Sequence, residues 1–389
     1  MDMKKSKNSI GIIDADLISE PKTVHAFPNL ACMKLSNYHK HMGDNVKHLL
    51  SYKNLDRYDT VYISKVFINS KIPEVNIFFE VPILLKPNVI YGGTGFFFDK
   101  AEPLSDDIEH CKPDYDFYNE WVEIEKGRKL KRVRFEYYTD YSIGFMTRGC
   151  FRKCLFCVNK RYNKVFFHSH LSEFFDETKR AISLWDDNIL GYSKWKDVFD
   201  ELIDTGKPFE FKQGMDIRLM TKEKAKCITN CKYKGDYIFA FDNIEDKNII
   251  IEKIKLWRDY VNPKRRTKLY VFCGFDKNNL YDESFWKQDI ENMFERIKIL
   301  MQFGCVPYIM RYNECIGPYK DVYQTAKTWC NFVPSYMKKS FRMYCIGQGK
   351  AGRNPEINSM KKIEKLYPDI AKKYFDLRRE DIILNKDWT

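Results

Sequence analysis

No apolar run in this chain approaches the roughly 20 residues that a bilayer requires, and the mean hydropathy is −0.52. A membrane span is excluded. The stretch from Met1 to Ile10 is basic and polar, and the short run after it is broken by Asp14 and Asp16. A secretory h-region is therefore lacking as well, and the expectation is a cytoplasmic chain with no membrane partner. Cysteine is scarce, with 12 in 389 residues, about a third of the density of a disulfide scaffold. In a reducing compartment such thiols stay free, so any cluster among them points to metal or catalysis. The seven histidines form no H-x-x-x-H or triad pattern. No sequence repeat with a period of about 20–50 residues is visible, which removes solenoids and propellers.

Aromatics, by contrast, are abundant. At 16% of the chain (29 Phe, 25 Tyr, 7 Trp) they are too many for a disordered protein. The length allows two modest domains or one large one. An excess of 66 Lys and Arg over 54 Asp and Glu gives a net charge of +12. Such a surplus favours anionic partners: a nucleic acid, a nucleotide or an acidic metabolite. Six of the basic residues (Lys126, Arg128, Lys129, Lys131, Arg132 and Arg134) fall close together. They read as a solvated linker or edge hairpin, or as an anion-steering patch.

Short apolar runs punctuate the first third. Ile10–Asp14, Val61–Ser64, Val75–Phe79 and Asn88–Tyr91 read as strands, and Leu30–Leu50 carries apolar residues at helical spacing before the turn Gly43-Asp44. Buried strands separated by longer segments predict parallel βαβ units, here a small doubly wound, Rossmann-like sheet over residues 8–115. Gly92-Gly93-Thr94-Gly95 reads as a tight turn after a strand rather than a phosphate loop.

From residue 140 a regular rhythm begins. Candidate strands are Ser142–Met146, Ile182–Trp185, Phe209–Lys212, Tyr237–Phe241, Leu269–Phe272 and Val306–Met310. Helical stripes lie between them: Trp195, Val198, Phe199, Leu202 and Ile203; then Ile250, Ile251, Ile254 and Trp257; then Ile290, Met293, Phe294, Ile297, Leu300 and Met301. Strands alternating with helices predict parallel pairing, closed into a barrel or stopped as a (β/α)6 partial TIM barrel. Residues after about 320 read as a helical C-terminal extension. The expected domains are 1–125, 126–320 and 321–389.

One cysteine cluster stands out. Thr147-Arg148-Gly149-Cys150-Phe151-Arg152-Lys153-Cys154-Leu155-Phe156-Cys157 places three thiols within eight residues, as C-x3-C-x2-C. Cysteines this close on a loop can converge on one metal. Arg148, Arg152, Lys153 and Lys160 would favour their thiolate forms. Three thiolates are one short of a closed four-coordinate site. A structural zinc would complete Cys3His with His168 or His170 and fit a zinc-binding nucleic-acid-binding protein without catalysis. A four-iron cluster would leave its fourth iron open for a ligand.

C-x3-C-x2-C with Phe156 before the third cysteine, on the loop after the first strand of a six-fold β/α pattern, resembles the radical SAM superfamily. The resemblance covers residues 140–312. It implies that Cys150, Cys154 and Cys157 hold a [4Fe-4S] cluster whose open iron binds S-adenosyl-L-methionine. Reductive cleavage of the sulfonium then gives a 5′-deoxyadenosyl radical that takes hydrogen from a substrate. It also implies an electron donor such as flavodoxin or ferredoxin. Phe156 would stack on adenine. Gln213 or Arg218 would hold the methionine carboxylate, and Asp187 or Asn188 the amino group or ribose. Each of these polar groups has an ordinary alternative as a strand-end cap or ion pair, and Asp-Asp-Asn stands where the family has Gly-Gly-Glu.

The preceding segment resembles the cobalamin-binding-like module of one branch of that superfamily, through Pro28-Asn29-Leu30, Gly43-Asp44-Asn45-Val46 and Gly92-Gly93. No D-x-H-x-x-G cobalt-ligating motif is present, and His39 and His41 do not supply one. An empty bracing sheet is favoured over bound cobalamin. Only Cys32 and Cys111 precede Cys150, which excludes the second cluster of the methylthiotransferases. Cys305, Cys315, Cys330 and Cys345 read as ordinary buried thiols rather than an auxiliary cluster, and Cys227 with Cys231 as one helix face. The substrate stays unidentified, and methyl transfer, rearrangement and oxidation stay open.

Overall fold

The computed structural model describes residues 7–19, 27–73, 82–128, 135–312, 317–347 and 355–388. The expected strand Val75–Phe79, the basic residues Lys129, Lys131, Arg132 and Arg134, and Cys315 lie outside them. The protein is mixed α/β with parallel sheets. It divides into two compact units, Met1–Asp186 with Asp204–Phe209, and Asp187–Ile203 with Glu210–Thr389.

In the first unit, β1 (Ser9–Asp14) is followed by α1 (Leu30–His41), β2 (Asn45–His48), β3 (Thr60–Ser64) and β4 (Val89–Gly92). The four strands pair in parallel in the order β2-β1-β3-β4. Alternation along β1 feeds two cores, as the two-residue strand period requires. Ile10 and Ile12 pack with Leu30, Met33 and Leu35 of α1 and with Tyr118 and Trp121, the latter on α2 (Asn119–Gly127). Ile13 joins Leu49, Leu55, Val61, Ile63 and Ile83 on the other face.

The second face is covered thinly: among the described residues, Leu55–Arg57 and Ile83–Leu85 over it are single 3-10 turns, and Ala15 and Phe96 lie on one-turn helices. The physical reason is length. Only the 11 residues Leu49–Asp59 separate β2 from β3, fewer than a helical crossover usually needs. The helical spacing read from Leu30 ends at His41, and the expected turn at Gly43-Asp44, with Gly43 at φ +83°, leads the chain into β2.

The same unit continues with β5 (Tyr141–Gly144), the short antiparallel pair β6 (Thr147–Arg148) and β7 (Phe166–Phe167), and β8 (Ala181–Leu184). β5 and β8 pair in parallel. Their sheet takes β9 (Phe209–Phe211) as its third strand, which starts in this unit where the Ile182 N–H donates to the Pro208 carbonyl at 3.0 Å. Tyr141, Ile143 and Ala181 belong to the core that also holds Ile10 and Trp121.

The second unit carries α3 (Trp195–Asp204), α4 (Lys222–Asn230), β10 (Tyr237–Ala240), α5 (Lys247–Arg258), β11 (Thr267–Cys273), α6 (Glu283–Gln302), β12 (Val306–Arg311) and α7 (Lys320–Asn331). β10, β11 and β12 make a parallel sheet in that order, and Met215 bridges Phe239 at its edge. All six strands expected between residues 142 and 310 are present, in two three-stranded sheets.

The helical stripes face cores. All six apolar positions expected on α6 are buried, each contributing about 1.5–3 kcal/mol. On α3 the stripe holds through Leu202, but Ile203 is 43% exposed. Eight residues at 100° each carry it about 80° away from Trp195, off the buried arc. The C-terminal helices, among them Phe341–Gly347, Pro355–Leu366 and Pro368–Tyr374, cover α6 through Phe341 and Phe375 on Phe294, with ring centroids 5.1 and 5.2 Å apart.

Candidate metal centre and strand-end polar groups

The three cysteines lie on the connection of a β-ribbon. Thr147 pairs with Phe167 and Arg148 with Phe166, and the His168 N–H extends the ladder to the Met146 carbonyl at 2.8 Å. The loop from Gly149 to Val165 is thus gripped at both ends. Its first residue must be glycine. Gly149 sits at φ +86°, and a Cβ there would lie 2.4 Å from the Lys164 carbonyl oxygen.

Asp186, just past the end of β8, holds the root of that ribbon. Its buried carboxylate accepts from Thr147 N at 2.5 Å, Thr147 Oγ1 at 2.6 Å and Met146 N at 3.3 Å. The sequence marks Asp186 only as part of a polar strand end; its grip on the ribbon was not legible there. A fully buried carboxylate needs donors, and Thr147, at the start of β6 just beyond β5, was the available signal.

Within the loop, two sulfurs already accept backbone N–H groups: Cys150 Sγ from Arg152 N at 3.3 Å and Cys157 Sγ from Asn159 N at 3.4 Å. Cys154 is tied in by its carbonyl, which accepts from Cys157 N at 3.0 Å. All three thiols are half-buried. Such N–H donors stabilise thiolate and tune iron–sulfur centres. Among the described residues, no three His, Cys, Asp or Glu side chains stand gathered as a ready-made metal site. The donor set fits an iron–sulfur cluster by chemistry: three thiols on one loop, with N–H groups on two of the sulfurs and basic residues in the same loop. Closing of a metal loop with its metal is the general rule.

His168, offered by the sequence as a fourth zinc ligand, is held elsewhere. Its Nδ1 lies 2.8 Å from Ser169 Oγ, its Nε2 3.4 Å from Glu109 Oε1, and its ring stacks on His110 at 5.2 Å. Burial, with the Arg148 charge beside it, pushes its pKa down to about 4, so the imidazole is neutral. Glu109 in turn accepts from the buried Lys34 ammonium at 2.9 Å. His170 N donates to Glu173 Oε1 at 2.9 Å, capping the turn Leu171–Glu173.

Phe156 is half-buried on the cysteine loop. In the second unit Asp187 is half-buried, Asn188 is buried and Gln213 is exposed. Arg218 is engaged by two carboxylates: its Nε lies 2.7 Å from Asp216 Oδ1 and its Nη1 2.5 Å from Asp246 Oδ2. This is the ordinary alternative foreseen for it.

Two further groups that sequence reading passed over define the strand ends of this unit. Arg296 of α6, 2% exposed, donates through Nη1 to the carbonyls of Phe241, Asp242 and Phe272 at 3.1, 2.6 and 2.9 Å, tying β10 to β11. Asp289 accepts from Gly274 N at 2.8 Å and Tyr323 Oη at 2.6 Å. Asp242 Oδ1 accepts from Phe272 N at 3.2 Å. Burial pushes the Asp242 carboxyl up to about 6 in spite of the nearby Arg296 charge. Cys305, Cys330 and Cys345 are buried, and burial raises all three thiols.

At the carboxyl ends of β1 and β3 the described side chains are committed to one another. Asp14 Oδ2 accepts from Tyr118 Oη at 2.7 Å, and Asn29 Nδ2 donates to Ser64 Oγ at 2.9 Å. Asp16 accepts from Val66 N, Phe67 N and Ser70 Oγ at 2.6, 3.1 and 2.5 Å. Gly93 and Gly95 press on the backbone of Lys65 and Phe67, where any Cβ would clash. Among the described residues, these groups brace the strand ends against one another.

No protein-family model matches the chain, and no curated protein does. Among solved structures it is similar to the cobalamin-dependent S-adenosylmethionine radical enzyme OxsB with aqua-cobalamin and S-adenosylmethionine bound. The TM-score is 0.35 at 11% identity, over 98% of this chain and 58% of that one. The same enzyme with aqua-cobalamin bound gives 0.35 at 12%, and its apo form 0.31 at 11%. The chain spans 58% of the length of those structures, and a likeness at this TM-score carries no weight beside the residues themselves.

Proposed function

We propose that this chain is a radical SAM enzyme in which Cys150, Cys154 and Cys157 hold a [4Fe-4S] cluster. The supporting observation is the loop itself: C-x3-C-x2-C spacing, pinned by a β-ribbon and a buried Asp186, with N–H groups on two of its sulfurs. When bound, the cluster supplies an electron that cleaves S-adenosyl-L-methionine reductively, giving a radical that takes hydrogen from the substrate. The chain's own part is positional. Gly149 and Asp186 fix the loop, and its basic side chains offset the cluster's negative charge.

Phe156, Asp187, Asn188 and Gln213 are the proposed contacts to S-adenosyl-L-methionine. Arg218, held by Asp216 and Asp246, is retained as an organiser of the strand end as much as a ligand. The proposed domains are the N-terminal sheet (residues 1–125), a (β/α)6 partial barrel (126–320) and the helical extension (321–389). The electron would come from a carrier of the flavodoxin or ferredoxin kind in a reducing, cytoplasmic setting. The net charge of +12 suits a nucleotide, nucleic acid or other acidic substrate.

Anaerobic reconstitution tests the reading. About four iron and four sulfide per chain, lost when the three cysteines become serine, support it. One zinc with no sulfide supports the Cys3His nucleic-acid-binding alternative instead. Formation of 5′-deoxyadenosine under reductant separates an active enzyme from an idle cluster protein.

A further inference from the structure

The tail of the cysteine loop is fastened to the N-terminal sheet. Lys160 Nζ lies 3.1 Å from Asp99 Oδ2 and 5.3 Å above the Phe98 ring. Arg161 Nη1 donates to the Ala101 carbonyl at 2.6 Å, and its Nη2 to Tyr162 Oη at 3.0 Å. From inside the loop, Lys153 Nζ donates to the carbonyls of Lys160 and Tyr162 at 2.8 and 2.6 Å. Three cations between Cys150 and Tyr162 thus act as fasteners.

Their seat, Phe98–Ala101, follows β4. Phe98 holds φ +49°, a left-handed conformation costly for a bulky residue and maintained only where surroundings impose it. Upstream, Gly93 and Gly95 bring the chain against Lys65 and Phe67 so closely that no side chain fits. The glycine cluster is therefore a device for placing this seat.

We propose that Lys160 and Arg161 are positioning residues that seat the tail of the three-cysteine loop on Phe98–Ala101, making the N-terminal sheet the support of the iron–sulfur site. This rests on the cluster reading above. The Lys160–Asp99 pair also sets charge: Lys160 stands three residues from Cys157, and Asp99 compensates it.

The test uses the full chain, reconstituted anaerobically with iron and sulfide, as wild type and as Asp99→Asn, Arg161→Ala and Lys160→Arg. Far-UV circular dichroism reports folding, a ferrous chelator reports the rate of iron loss, and EPR-monitored titration reports the cluster's midpoint potential. Asp99→Asn and Arg161→Ala are expected to fold as wild type yet lose iron several-fold faster. In Asp99→Asn the potential moves positive, because an uncompensated cation favours the reduced cluster. Lys160→Arg keeps wild-type values. Equal iron-loss rates and potentials in all four proteins overturn the proposal while leaving the cluster reading standing. A wild-type chain that takes up no iron and sulfide overturns both. Should Arg161→Ala fail to fold, Asp99→Asn, which changes one surface group, decides alone.

Discussion

Replacing Asp186 by alanine removes one acceptor from three donors at once: Thr147 N, Thr147 Oγ1 and Met146 N, at 2.5, 2.6 and 3.3 Å. Hydrogen bonds to a charged group contribute about 1.5–3 kcal/mol each. The longest of the three contributes least, and contributions to one carboxylate do not add. The expected loss is therefore about 3–5 kcal/mol, most of it from buried N–H groups left without a partner. Asp186→Asn should fall between, since its carboxamide accepts on one atom but presents a donor on the other. Because the carboxylate holds a ribbon root rather than a whole core, the loss should show first as local opening. Amide hydrogen exchange reads it directly. At Met146, Thr147 and His168, exchange should quicken by on the order of 100-fold or more, from about 3 kcal/mol at 1.4 kcal/mol per decade. Amides of α6 should stay unchanged. A folded Asp186→Ala chain whose ribbon amides exchange within about threefold of wild type would refute Asp186 as the loop's anchor.

Gly149→Ala forces φ +86° on a residue with a Cβ 2.4 Å from the Lys164 carbonyl; about 2 kcal/mol or more of local destabilisation should appear as faster proteolytic nicking between Cys150 and Lys164, and an unchanged digest would contradict it. The Asp242 carboxyl, pushed up to about 6 by burial, stands above its ordinary value near 4, so its stabilising contribution is complete below that value and lost as pH rises through 6. Asp242→Asn should then be more stable than wild type by about 1–2 kcal/mol at pH 7 and no different at pH 4, and urea midpoints displaced equally at both pH values would sink the assignment. His168 behaves oppositely: its pKa is pushed down to about 4 by burial and by Arg148, so stability is present above about pH 6.5 and lost as pH falls toward 4. His168→Gln should flatten that acid-side decline in urea midpoint, and a wild-type slope in the variant would count against it.

Periodicity carried most of the fold. The six strands between residues 142 and 310 and the α6 stripe were readable because buried parallel strands and amphipathic helices leave period-specific patterns. The thin cover over the second face of the first sheet was not readable, since it turns on connection length: the 11 residues between β2 and β3 carry Leu49, Leu50, Tyr52, Leu55 and Tyr58, apolar enough for a short helix or a turn. The three cysteines announced themselves by spacing. Their supports did not. Asp186, Lys160 and Arg161 act through partners between 39 and 61 residues away in sequence, and no local pattern encodes such a pairing. Arg218 shows the converse limit: a cation at a strand end reads as an anion site, yet Asp216 and Asp246 already meet it.

The N-terminal sheet has a topology that commonly serves a ligand, and the described side chains at its strand ends bond to one another. In an open parallel sheet the crevice lies outside the carboxyl ends of the strands where connections part to either side, here β1 and β3. An anionic ligand there needs free backbone N–H groups, normally at a helix N-terminus. At α1 those of Ala31 and Cys32 donate to Asn29 Oδ1, at 3.1 and 3.3 Å. The amides of Val66 and Phe67 and the hydroxyl of Ser70 go to Asp16. Among the described residues, these donors already meet oxygens of Asn29 and Asp16. Holding Val66 and Phe67 still has a use of its own. Gly93 and Gly95 press against Lys65 and Phe67, so the Asp16 carboxylate that holds Val66 and Phe67 also steadies the backbone against which the segment leading to Phe98–Ala101 is packed.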